Sequence, residues 1–150
     1  MSPTRGVPFL LVALGCACSS SAPEVDFCHV LKDAPEFSGE TFKTDILAVP
    51  GDHFVTATSS DCSSIVIRIA ESSSTGPSLN ALYEQIGDAW RTNGHQRLQR
   101  GIAVHVKASI DKIIAENSPK PGYELRLLDA EIGKLVDLPQ SFQFPRDSGR

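Results

Sequence analysis

The segment Gly101–Ile110 (GIAVHVKASI) constrains this chain most. Ile102, Val104, Val106, Ala108 and Ile110 fall on one side, and Ala103, His105, Lys107, Ser109 and Asp111 on the other. A period of two is the signature of a strand with one face buried and one wet. Such a strand needs neighbours, because its backbone N–H and C=O groups must be paired. Thr41–Val49 (TFKTDILAV) offers one and stops at Pro50-Gly51-Asp52, a turn signal. His53–Thr58 (HFVTAT) returns from that turn, and Ile65–Ala70 (IVIRIA) follows a polar loop, Ser59–Ser64, that holds Cys62. Ile65, Ile67 and Ile69 share one face of this third strand. After the turn Asn117–Gly122, a last strand runs from Tyr123 to Leu135, with a bulge expected near Leu127-Leu128 where the alternation slips.

Two segments follow the helical period instead. Asp26 can cap a short helix through Ala34, with Phe27, Val30 and Leu31 on one face and Pro35 ending it. A turn at Phe37-Ser38-Gly39 follows, where Gly39 can take a positive φ. Beyond the connector Ser72–Pro77, Ser78 opens a longer helix whose Leu79, Leu82, Ile86 and Trp90 make one apolar stripe. Arg91–Gly101 (RTNGHQRLQRG) reads as a polar, basic loop.

The order is three strands, one helix, two strands. It predicts an all-β domain with helices: an OB-like five-stranded Greek-key barrel, β-β-β-α-β-β, with a short helix in front. A small α+β domain is the alternative, because strand order in space is not written in the sequence. A chain of 150 residues, 41% of them hydrophobic and 21% charged, has the composition of one globular domain.

The first residues read as an address. MSPTRGVPFLLVALGCAC places Arg5 before an apolar run, Val7–Leu14, followed by Gly15 and Cys16. The run is too short to span a bilayer and suits a secretory signal. LVALGC resembles the lipobox of bacterial lipoproteins, whose cysteine is acylated and becomes the first mature residue. The resemblance implies lipidation at Cys16, with Cys18 as the alternative, and a membrane partner through the lipid. Plain secretion is the other reading. The expected division is 1–15 signal peptide, 16–25 lipidated cysteine and tether, 26–138 OB-like domain, and 139–150 flexible tail with Phe142 and Phe144 as its apolar residues.

If one of the first two cysteines is lipidated or leaves with the signal, Cys28 and Cys62 remain inside the domain. An exported protein tends to oxidise such a pair. Closing a loop of about 35 residues contributes roughly 3–4 kcal/mol in the chain-entropy model. The alternative is that Cys28, beside His29, is a reactive or metal-binding thiol. CHVLKDAPEFSGETF (residues 28–42), GIAVHVKASIDKI (101–113) and YELRLLDAEI (123–132) together resemble a group of small exported bacterial lipoproteins of unknown function. That resemblance implies an OB-like domain with the Cys28/Cys62 pattern and carries no catalytic residues.

Charge and motifs narrow the function. With 14 Lys plus Arg against 18 Asp plus Glu, the net charge of −4 makes nucleic acid an unlikely partner. His29, His53, His95 and His105 form no HxH or HxxxH pair, and no CxxC is present, so no metal, cofactor or catalytic residue is assigned. Asp45, Asp52 and Asp61 are spread apart, Arg68 stands alone, and Phe54 is the only aromatic on the second and third strands. Arg91, His95, Arg97 and Arg100 form the basic cluster, a binding loop for an envelope protein or an anionic ligand. The expected function is a non-catalytic binding or structural module in the bacterial cell envelope, lipid-anchored on the outer membrane or the periplasmic face. A secreted metal-dependent hydrolase or nuclease is the alternative.

Overall fold

The alternating face of Gly101–Ile110 is buried as its period requires. Ile102, Val106, Ala108 and Ile110 have no exposed surface, and Val104 has almost none. The computed structural model describes residues 21–71, 76–92 and 99–143. Around that central strand, five strands close into a barrel: β1 (Thr41–Pro50), β2 (Val55–Thr58), β3 (Ile67–Ile69), β4 (Arg100–Ile113) and β5 (Gly122–Asp137). The order around the barrel is β1-β2-β3-β5-β4, with β4 returning to β1. β3 and β5 run parallel and every other pair antiparallel. This is the OB-like arrangement, and closure replaces the open-sheet α+β alternative.

The strands differ in length from their sequence pattern at the third position. β3 keeps three residues of the six expected, Ile65–Ala70. The chain ahead of it turns instead, in a 3-10 helix over Ser60–Cys62, with Ile65 N–H donating to the Cys62 carbonyl. Thr58 Oγ1 donates to the Ile65 carbonyl at 2.7 Å, so a side chain replaces the missing ladder. β2 starts at Val55, which leaves Phe54 just ahead of the strand.

β4 and β5 pair along their whole length, with two register shifts. Lys107 faces Asp129 while Ala108 faces Leu127, so Leu128 is the extra residue where the alternation slips. The second shift lies between Ile102/Leu135 and Val104/Ile132. There a Cβ on Gly133 would stand 2.7 Å from the Ala103 carbonyl oxygen, closer than real Cβ atoms approach. Only glycine lets the strands meet at that bulge.

Helix α1 (Phe27–Lys32) starts where Asp26 Oδ1 accepts from the Cys28 N–H at 3.1 Å. It stops two residues before Ala34, because a residue preceding proline is pushed out of the α region. A 3-10 turn over Ala34–Phe37 follows, and Gly39 adopts φ +81° to turn into β1. Helix α2 (Pro77–Thr92) buries Leu79, Leu82 and Ile86 against the barrel, with Trp90 half-buried. It runs two residues further than its apolar stripe suggests, so Arg91 belongs to its last turn, and Arg100 already belongs to β4. Packing continues past Leu138: Phe142 is buried and the Ser141 hydroxyl meets that of Ser63.

Cys28 and Cys62 are joined in a disulfide, with Cα atoms 5.8 Å apart. It ties the start of α1 to the turn between β2 and β3. Among the described residues every buried side-chain nitrogen or oxygen has a hydrogen-bond partner.

Candidate functional site

The first half of β1 has β4 on one side and no strand on the other. Residues 23–25 fill that edge: Lys43 N–H donates to the Pro23 carbonyl at 2.8 Å, and Val25 N–H to the Lys43 carbonyl at 2.9 Å. Thr44 Oγ1 donates to the Val25 carbonyl at 2.8 Å and fixes the segment from below. An unpaired edge would be a pairing hazard, and this short parallel stretch covers it.

The segment also walls a groove. A half-open cavity of about 490 Å³ lies between it, Thr44–Leu47 of β1, Ala103 and Val104 of β4, and the turn Ser59–Asp61. Four carboxylates line it: Glu24, Asp26, Asp45 and Asp61. His105 stands at its edge on the outer face of β4, as the alternation predicts, and it is partnered. Its Nδ1 is 2.7 Å from Asp45 Oδ1 and its Nε2 is 3.6 Å from Glu24 Oε1. A carboxylate on one ring nitrogen holds the imidazole plane, leaving the other nitrogen toward Glu24. The groove therefore presents acceptors and negative charge, with one oriented imidazole, and its field favours positively charged or hydrogen-bond-donating ligands. These residues come from four separate stretches of chain, and no local motif marks them.

A second, smaller cavity of about 310 Å³ opens beside Phe54, Ile69 and Tyr83. Phe54 does not lie free as a stacking surface: the Arg68 guanidinium sits 5.2 Å from its ring centre. Arg68 is not isolated either, since it pairs with Glu71 at 3.2 Å and Glu124 at 3.6 Å.

Two residues of the basic cluster, Arg91 and Arg100, are described, and each has an acidic partner. Arg91 pairs with Asp88 one turn earlier on α2. Arg100 pairs with Asp137 across the β4–β5 ladder, Nε to Oδ1 3.0 Å. Both pairs are exposed, where such contacts are weak and readily exchanged. His95 and Arg97 lie outside the described residues, as do Cys16, Cys18 and Phe144.

A mixed set of possible metal ligands lies outside any HxH or HxxxH pair. His29, Asp33 and Glu36 bring ligand atoms within 4.8 Å of one another on the surface of α1 and its following turn. A search for His and carboxylate at i, i+4 and i+7 would have found it. No protein-family model matches this chain, and neither a curated protein nor a solved structure matches it. The OB-like assignment therefore stands on strand order and register alone, and fold by itself assigns no activity.

Proposed function

We propose that this chain is an exported, lipid-anchored protein of a bacterial cell envelope, whose OB-like barrel is a non-catalytic binding or structural module. The Cys28–Cys62 disulfide carries the reading. Disulfides persist in oxidising compartments and are rare where thiols are kept reduced. The lipobox-like LVALGC agrees with it, with Cys16 as the acylated residue and Cys18 as the alternative. No helix among the described residues is long and apolar enough to cross a membrane, so attachment falls to the lipid in this reading.

The geometry adds a consequence. Pairing on β1 begins at Pro23, so an acylated Cys16 is separated from the barrel by at most about 25 Å of extended chain. The acidic groove, walled by residues 24–26, would sit close to the headgroup region. We take it as a binding face alongside the basic loop of Arg91, His95, Arg97 and Arg100, because its lining holds four carboxylates and no lysine or arginine.

Intact-mass analysis of the protein from its own host tests the reading. The expected species begins at Cys16 or Cys18, carries acyl mass, and gains two hydrogens on reduction. An unprocessed N-terminus with all thiols free would overturn it.

A further inference from the structure

We propose that the outer surface of α1 and the turn after it binds a divalent late first-row transition ion, with His29, Asp33 and Glu36 as its ligands. The inference rests on local geometry and does not depend on export or lipidation. His29 lies in α1, Asp33 closes it, and Glu36 follows in the 3-10 turn. His29 and Asp33 stand one helical turn apart, and the 3-10 turn after Asp33 brings Glu36 to the same side. One ligand atom from each lies within 4.8 Å of the others.

The His29–Asp33 spacing suits an ion as well as it suits a salt bridge. His29 Nε2 and Asp33 Oδ2 are 3.6 Å apart, too far for a good hydrogen bond. Two ligands at about 2.0–2.2 Å from a tetrahedral ion stand roughly 3.4 Å apart. Small side-chain rotations would complete that shell. The imidazole is also held in place. Its ring meets Phe37 edge-on, with centroids 5.3 Å apart, and Phe37 meets Phe42 in the same way at 5.8 Å. Phe42 is buried, so a chain of rings anchors His29 to the core. On the other side its neighbour Cys28 is fixed by the disulfide. Pro35 stiffens the turn that carries Glu36. Ordering the imidazole on binding therefore costs little entropy.

The donor set selects the ion. One imidazole nitrogen with two carboxylates favours zinc or its neighbours over calcium and magnesium, which take all-oxygen shells. Two carboxylates balance the charge of a divalent ion. Three protein ligands leave a fourth position for water or for a donor from a partner molecule.

The test uses the full-length chain with Cys16 and Cys18 alkylated, so that thiols cannot ligate. Zinc is titrated by calorimetry, and the histidine ring resonances are followed by NMR. One equivalent should bind and shift the His29 resonances. His29→Ala and Glu36→Gln should each weaken binding tenfold or more, since even outer-shell losses cost about 10–100-fold. Glu36 is exposed, so Glu36→Gln should keep the wild-type melting midpoint without zinc, while His29→Ala should lower it only slightly through the lost ring contact with Phe37 and stay folded at the titration temperature. His53→Ala and His105→Ala should bind as the wild type does. Absence of saturable binding overturns the proposal. So does binding that survives His29→Ala, or zinc shifts confined to His53, His95 or His105.

Discussion

The β4–β5 hairpin and the β2–β3 seam close the same barrel by different means. β4 and β5 have 14 and 16 residues and pair from Arg100/Asp137 to Ile113/Gly122. β3 has three residues, with two paired positions on each side. Where the ladder is long, backbone hydrogen bonds and an unbroken apolar face hold the barrel. Where it is short, side chains and a covalent bond replace the missing rungs. The Thr58–Ile65 hydrogen bond, the Arg68 contacts and the Cys28–Cys62 bridge all gather at the short seam. A closed sheet is only as cooperative as its thinnest pairing, and here the staple sits next to that pairing.

The strongest way to break the comparison is to attack the long ladder. Ile110→Ala removes a fully buried side chain from β4 and should cost about 2–5 kcal/mol, read from the urea midpoint at unchanged slope. A cost near zero would mean that the hairpin is not the stable half. Next comes the staple. Reduction, or Cys28→Ser with Cys62→Ser, should cost roughly 3–4 kcal/mol by loop-closure entropy. The distinguishing observable is local. In the reduced protein, hydrogen exchange should speed first at Ala57, Ile67 and Ile69, while Val104 and Val106 stay protected. Uniform acceleration would erase the difference between the two regions.

A smaller effect sharpens the hairpin side. Gly133→Ala drives a methyl into the Ala103 carbonyl and should cost about 1–3 kcal/mol, with exchange disturbed around the second bulge rather than the first. A neutral substitution would show that the bulge can slide.

The same two regions explain what the sequence disclosed. In β4 the alternation predicted every buried residue except Gly101, because strand period and burial agree from Ile102 onward. The slip at Leu127-Leu128 marked the first bulge for the same reason. Ile65–Ala70 looked like a full strand because its β-branched residues fit one, yet the turn at Cys62 and the bond from Thr58 shorten it. Both contacts are short in sequence, but one is a turn and the other joins a side chain to the backbone, and a period-two pattern encodes neither. The helix boundaries moved for a local reason, the proline after Ala34, and for a tertiary one, the continuation of α2 to Thr92. The groove was illegible: Glu24, Asp45, Asp61 and His105 meet only after the N-terminal segment lies along β1. The basic cluster was legible as composition, but the pairing of Arg91 with Asp88 and of Arg100 with Asp137 required the ends of α2 and β4 to be placed.

The smallest expected effect joins the hairpin to α2 and depends on pH. Asp129, on β5 beside the first bulge, accepts from Ser78 Oγ in the first turn of α2 at 2.6 Å and from the Ala130 N–H at 2.9 Å. The Ser78 bond first, then the Ala130 bond, then Lys107 and Lys43, hold its carboxyl below the usual carboxylate range. A carboxyl that is more acidic folded than unfolded stabilises the fold at pH values above its unfolded pKa, about 3.9. That contribution fades as the pH falls through the lower folded value. Asp129→Asn should therefore lower the urea midpoint slightly near neutral pH, and its gap from the wild type should narrow on acidification. Ser78→Ala should narrow the gap in the same direction, since it removes the largest cause of the shift. The carboxylate is exposed, so salt should shrink the effect as well. A gap that is constant from neutral pH down to about pH 3 would show that Asp129 acts through shape alone, leaving α2 tied to the hairpin by its apolar face.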